Sequence, residues 1–255
     1  MKILVLLKQT FDTEEKISLQ NGKVSEQGVE FIINPYDEYA VEEAMKLKEK
    51  LGAEVTVLTV GPSRTESALR TALAMGADKA IQIEQDGSEA DEYVISNMIA
   101  AAIKNQAFDL ILGGNTAVDS GAGQIAIRVA EILGIPHVAT ITKLSFNGRK
   151  ATVERDVEGD LETIEVELPF LATAQQGLNE PRYPSLPGIM KAKKKQIERL
   201  IPDELGISKE ELCARTEVLD QYLPSKKQAG QILTGEMSNQ VSELFQLLRT
   251  NAKVI

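Results

Sequence analysis

Apolar residues along the chain follow two rhythms. Short continuous runs such as Lys2 to Leu7 alternate with longer segments in which apolar positions recur every three or four residues. The first kind has the length of a strand buried on both faces, and the second reads as an amphipathic helix. On this basis strands are predicted at Glu54 to Gly61, Lys79 to Glu84, Asp109 to Gly113 and His137 to Phe146. Helices are predicted at Ser63 to Met75, Glu89 to Gln106 and Gly121 to Leu133. A further helix follows Asn34, a cap residue, with Pro35 suited to its first turn and Gly52 to its end. Val41, Ala44, Lys48 and Leu51 mark the inward face of that helix. Strict alternation of strand and helix implies an α/β fold with a mostly parallel sheet wrapped by helices, whose ligands gather beyond the carboxyl ends of the strands.

The rhythm breaks in two places. Ile17 to Val24 carries Asn21-Gly22, a tight-turn signal, and so reads as a small hairpin. After Phe146, alternating charged strands flank a turn near Gly159, and Asn147-Gly148 marks another turn. This is an antiparallel hairpin, followed by one more buried strand, FLATAQQG. From Lys191 onward no further core strand is expected. The last apolar stripe, Met237, Val241, Leu244, Phe245 and Leu248, lies on a helix that either folds back on its own domain or embraces a partner. The expected division is therefore an α/β domain over 1–190 and a C-terminal arm over 191–255.

Composition narrows the chemistry. A hydrophobic content of 43% over 255 residues provides for a large core, and a net charge of -10 argues against a nucleic-acid binder. One cysteine, Cys213, excludes an internal disulfide and fits a reducing, cytoplasmic compartment. The one histidine, His137, makes a zinc site or a histidine triad a poor fit, and it reads as a packing residue. No apolar run approaches the length of a membrane span, so the chain is not expected to be membrane-embedded. The carboxylates from Asp156 to Glu167 alternate along a strand and read as a solvated face. A stand-alone acid–base enzyme is therefore disfavoured, and redox chemistry would need a borrowed cofactor.

The loop GGNTAVDSGAGQ, Gly113 to Gln124, joins a strand to a helix. Gly121 and Gly123 let backbone N–H groups approach an anion at the helix N-terminus, and Asp119 and Ser120 offer bonds to ribose or phosphate. The spacing is neither a Walker loop nor a dinucleotide fingerprint, so a merely tight turn is the competing reading. Asn34, Pro35, Tyr36 and Asp37 lie at a helix start where a loop can close over the same ligand, or where they only begin the helix. A last segment, NEPRYPSLPGIMKAKKK, sets Leu186 on a proline-punctuated loop beside Lys191, Lys193, Lys194 and Lys195. Folding alone does not ask for an apolar knob next to a basic cluster.

That segment and the preceding residues, Val153 to Lys195, resemble the signature region of the β subunit of electron-transfer flavoproteins. Ile33 to Glu49 and Leu69 to Ala80 resemble that family too. The resemblance implies an adenine-nucleotide α-hydrolase-like sheet in a heterodimer with a larger α subunit that holds most of the FAD. It implies an AMP site at Leu6, Asn34, Pro35, Tyr36, Asp37, Val60, Gly113, Asn115, Asp119, Ser120, Gly121 and Ala122, to which the loop reading adds Gly123 and Gln124. A second FAD in place of AMP, in an electron-bifurcating complex, is the alternative. Tyr36 and Asp156 would lie near the flavin and the α subunit, whereas Thr13 stands where mitochondrial members have a tyrosine. Leu186 would be the anchor of a loop that docks on acyl-CoA dehydrogenases, with Tyr183, Pro187, Ile189 and Met190 beside it. Electrons would then pass to a quinone-linked oxidoreductase.

Overall fold

The computed structural model describes residues 1–85, 90–226 and 229–254. In chain order its strands and helices are β1 (Lys2–Leu6), β2 (Gln9–Phe11), β3 (Leu19–Gln20), β4 (Lys23–Val24), β5 (Phe31–Ile33), α1 (Pro35–Leu51), β6 (Glu54–Gly61), α2 (Glu66–Met75) and β7 (Lys79–Glu84). There follow α3 (Glu92–Ile103), β8 (Leu110–Gly114), α4 (Ile125–Leu133), β9 (His137–Asn147), β10 (Lys150–Val157), β11 (Asp160–Glu167), β12 (Phe170–Ala174), α5 (Leu186–Ala192), β13 (Ile197–Leu200) and α6 (Met237–Leu247). The chain divides into two compact units, Met1–Ile17 with Ser25–Leu219, and Ser18–Val24 with Asp220–Ile255.

In the first unit one sheet runs β11-β10-β9-β12-β8-β1-β6-β7-β13. Every pairing from β9 to β13 is parallel, and only the excursion through β10 and β11 is antiparallel. The continuous apolar runs are buried on both faces, as β1 shows: Ile3 and Val5 join the cluster that includes α1 and α2, while Leu4 and Leu6 join the one that includes α3 and α4. From β1 the order proceeds to β6 and β7 on one side, then crosses back through α3 to β8 on the other. The crevice at the carboxyl ends of β1 and β8 is thus a topological switch point, where such sheets leave room for a ligand.

Several expectations from sequence need correction. An edge strand does exist beyond Lys191: β13 pairs in parallel with β7, with Ile197 packed against one cluster and Leu200 against the other. It was hidden because the run IERL is short and half polar. The segment around Leu186 is the first turn of α5 rather than the tip of a loop, since the Ser185 hydroxyl accepts from the Gly188 N–H and Pro187 fits the first turn. His137 is exposed at the start of β9 and does not pack, and Leu51 is exposed at the end of α1. The third helix begins at Glu92 behind an Asp91 cap, while the expected start at Glu89 lies outside the described residues.

In the second unit the Asn21-Gly22 turn joins β3 to β4, with both residues at positive φ as the dipeptide predicts. The apolar positions of α6, Met237, Val241, Leu244 and Phe245, are all exposed.

Helix α5 lies against α2, with Gly188 directly beside the backbone of Ala74. A Cβ at Gly188 would enter the carbonyl oxygen of Ala74, a backbone atom that has little freedom to yield. Gly188→Ala should therefore cost about 1–3 kcal/mol of unfolding free energy, as for other overpacked contacts. Urea unfolding measures this, and an unchanged midpoint would mean that α5 is free to lift from α2.

Candidate functional site

The switch-point crevice is a real cleft. Its open space, solvent mouth included, is about 650 Å³. Leu6, Leu7 and Lys8 reach it from β1, Leu58 and Val60 from β6, Ile95 and Ile99 from α3, and Gly113 to Ala117 and Ala122 to Ala126 from the β8–α4 connection. The walls are mostly aliphatic, which suits a flat apolar ring system, and the polar groups collect at one end.

Asp37 organises that end. Its carboxylate is buried; one oxygen accepts the Lys8 N–H and the other the Gly114 N–H, each at 2.7 Å. The first turn of α1 is thereby tied to the ends of the two strands that flank the switch point. Gly114 has to be glycine for this to happen, because a Cβ would fall 2.7 Å from the Tyr36 carbonyl carbon and would overlap the Asp37 carboxylate. Burial pushes the Asp37 carboxyl up to about 7, against the opposing pull of the two N–H donors, the Asn34 amide and the Lys8 charge.

Asn34 is the second fastener. It precedes α1 but makes no side-chain cap. Instead its amide donates to the Thr116 carbonyl at 2.9 Å and its oxygen accepts the Val118 N–H at 3.1 Å. The residue that sequence reads as a helix start thus holds the glycine-rich loop, which is stabilised further by Gly121 N–H to Ala117 O and Ala117 N–H to Ala122 O. Gly121 sits at φ +67°, where a side chain is strained. The fourth helix begins only at Ile125, so the glycines expected inside it form its approach. The N–H groups of Gly123 and Gln124 find no partner among the described residues. Those of the first helical turn have none inside the helix. Together with the dipole of α4 they make a donor cluster suited to an anion.

Of the residues picked out by sequence, the structure brings Leu6, Asn34, Asp37, Val60, Gly113, Asn115, Ala122, Gly123 and Gln124 to the cleft. Pro35, Tyr36, Asp119, Ser120 and Gly121 do not line it. Asp119 instead pairs with Lys8 at 2.7 Å, at a partly exposed position. Gly114, Thr116 and Ala117 belong to the expected loop without having been singled out, whereas Lys8, Leu7, Leu58, Ile95 and Ile99 were missed; for Lys8, a lysine placed directly after a buried strand, at its carboxyl end, was the available signal. Asp156 is exposed on β10, and Tyr36 is half-buried on the first turn of α1.

A second site is made by α5 and the residues before it. Tyr183 is 95% exposed, Leu186 80% and Met190 69%, with Ile189 partly exposed beside them. Of the adjacent lysines, Lys195 has a structural task, donating to the Ala77 carbonyl. Lys191, Lys193 and Lys194 make no side-chain hydrogen bond or ion pair among the described residues. An apolar patch thus stands next to three free cations on an otherwise acidic chain.

The buried Asp37 carboxyl has a checkable titration. Its folded pKa lies above the unfolded value, so between about pH 4 and 7 the folded chain holds a proton that the unfolded chain has released, and this contribution to stability falls as pH rises through that window. A carboxyl-carbon NMR titration of the free chain should place the Asp37 midpoint near 7. A midpoint near 4 would show that the donors outweigh burial.

Comparison with known proteins agrees with this architecture. Residues 21–205 match the model of the electron transfer flavoprotein domain. The chain is 57% identical to the electron transfer flavoprotein subunit beta of Bacillus subtilis, with all of both chains covered. It is 42% identical to the subunit of that name from Syntrophomonas wolfei, over 100% of this chain and 98% of the relative. The human subunit is 37% identical over 90% of this chain and 91% of its own. A sheet with a cleft at its switch point, a family match over most of its length and end-to-end relatives lead to one assignment: this chain belongs to the electron transfer flavoprotein family, as a β subunit.

Proposed function

We propose that this β subunit works in a heterodimer that carries electrons from acyl-CoA and related dehydrogenases to a quinone-linked oxidoreductase. The electrons reside on FAD held mainly by the α subunit, and AMP occupies the cleft in a structural role. Membership of the family implies a flavoprotein with an α-subunit partner. The finer reading rests on the two surfaces described above. No helix among the described residues is long and apolar enough to cross a membrane. The lone cysteine and the bacterial relatives favour a cytoplasmic location.

The observation that carries the shuttle reading is the exposure of Leu186. A leucine 80% exposed on a short, well-anchored helix gains nothing for the fold. Placed in a partner's pocket it would contribute about 1.5–3 kcal/mol, enough for affinity and little enough for rapid release. Lys191, Lys193 and Lys194 add attraction toward an acidic rim and raise the encounter rate. The exposed face of α6 supports a further part of the reading, that residues 234–251 grip the α subunit. Tyr36 and Asp156 are proposed to face that subunit and its flavin.

In the cleft, the free N–H groups at the start of α4 would take the phosphate, and the aliphatic walls from β1, β6 and α3 would take the adenine. Flavin and AMP released from the purified heterodimer decide between AMP and a second FAD: one flavin and one AMP are expected, and two flavins would favour the bifurcating alternative. Gly121→Val strains the loop and should lower bound AMP at least severalfold. Full retention of AMP would place the phosphate elsewhere.

The docking reading has its own test. Leu186→Ala should leave FAD and AMP content unchanged, keep chemical reduction of the flavin normal, and raise the KM for dehydrogenase-driven reduction by roughly tenfold. Unaltered coupling in the well-folded variant would overturn it.

A further inference from the structure

The face that carries Leu186 is bolted to α1 by one arginine. Arg182 lies one residue before the exposed Tyr183. Its own N–H and its Nε both donate to Glu42 Oε2, at 3.2 and 2.8 Å, and its Nη2 donates to Glu42 Oε1 at 3.0 Å. Backbone and guanidinium of the same residue are thus held by one carboxylate. The far edge of the guanidinium reaches Glu49 through Nη1 and Nη2. Glu42 and Glu49 are two turns apart on α1 and share a face, which is the spacing that lets one planar fork reach both. Three residues upstream, the Asn179 amide donates to the Tyr39 carbonyl and to Glu43 Oε2, both at 3.0 Å.

The two carboxylates differ in burial. The Glu42 side chain is 7% accessible and that of Glu49 is 62%. A carboxylate as buried as Glu42 needs a charged partner, and Arg182 supplies it with a geometry that lysine cannot reproduce. From Arg182 the chain has little freedom before Leu186: Pro184 fixes one φ and the Ser185 cap starts α5. At the far end of α5, Arg70 donates to the carbonyls of Ala192 and Lys195 at 2.7 and 2.6 Å.

We propose that Arg182 is a positioning residue for partner docking: by gripping Glu42 and Glu49 it fixes Leu186 in the attitude that a dehydrogenase pocket receives. This rests on the docking role assigned to Leu186 above. The grip makes the patch rigid before contact, so that a partner does not have to order it on binding.

The test uses the purified heterodimer, with dehydrogenase-driven flavin reduction measured against heterodimer concentration. Arg182→Gln should raise KM about five- to tenfold with kcat within about twofold, while chemical reduction and FAD content stay as in the unaltered complex. Arg182→Lys keeps the charge without the fork and should recover only part of the loss. Leu186→Ala should cost less in the Arg182→Gln background than alone, since its benefit depends on the grip. Fully additive effects, or an unchanged KM, would overturn the proposal. Should Arg182→Gln fail to fold, because Glu42 is left unpaired, Glu49→Gln removes only the exposed arm. That variant should raise KM about two- to threefold, and no change there would also overturn the proposal. If Leu186→Ala alone leaves KM unaltered, the docking role itself falls; if Leu186→Ala raises KM and the Arg182 variants do not, only the role of Arg182 falls.

Discussion

A buried carboxylate joins three elements that the chain order keeps apart. Asp37, on the first turn of α1, accepts the backbone N–H of Lys8 beyond β1 and of Gly114 at the end of β8. Strands β1 and β8 are neighbours in the sheet, but their carboxyl ends diverge at the switch point, where no further ladder bond holds them. The carboxylate supplies two acceptors where the backbone has two free donors. The cleft depends on this clasp, because its mouth is the gap between those strand ends. The burial that raises the proton affinity of Asp37 also keeps water from competing for the two N–H groups.

Helix α1 then serves as a common reference for both surfaces of the first unit. Its N-terminal turn, with Asn34 just before it, holds the β8–α4 loop and the strand ends. Its later turns present Glu42, Glu43 and Glu49 to the segment that leads into α5. Seventeen residues of helix separate the two, so the cleft and the Leu186 face are both referred to one helix. The second support, α2, meets α5 through Gly188 and through Arg70, and the carbonyls of Gly76 and Ala77 just beyond it accept from Lys48 and Lys195. Thus part of the basic run that reads as a docking feature is spent on structure.

What is absent from the cleft walls is equally informative. Among the described residues the lining holds no histidine or cysteine, and its one carboxylate, Asp37, is committed to backbone donors. The cation of the lining, Lys8, is likewise engaged, by Asp119.

Periodicity alone determined most of the fold. The runs at Lys2, Glu54, Lys79 and Asp109 are apolar on both faces because helices cover both, and burial of that kind leaves an unambiguous signal in the residues. Asn21-Gly22 fixed its turn because few residues accept positive φ twice in succession. The glycine-rich loop was legible as a candidate anion site because backbone approach requires the missing Cβ. Tertiary structure decided the rest. Asn34 has the residue type of a helix cap, yet its side chain spends both hydrogen-bonding groups on a loop 82 and 84 residues away. Strand β13 is half polar and lies at an edge, so its existence depends on β7 being there to pair with it. The fastening roles of Asp37 and Arg182 carry no local signature, since a charge in or near a helix is ordinarily solvated. Their partners come from distant parts of the chain, and only the packed sheet brings those donors and acceptors within reach.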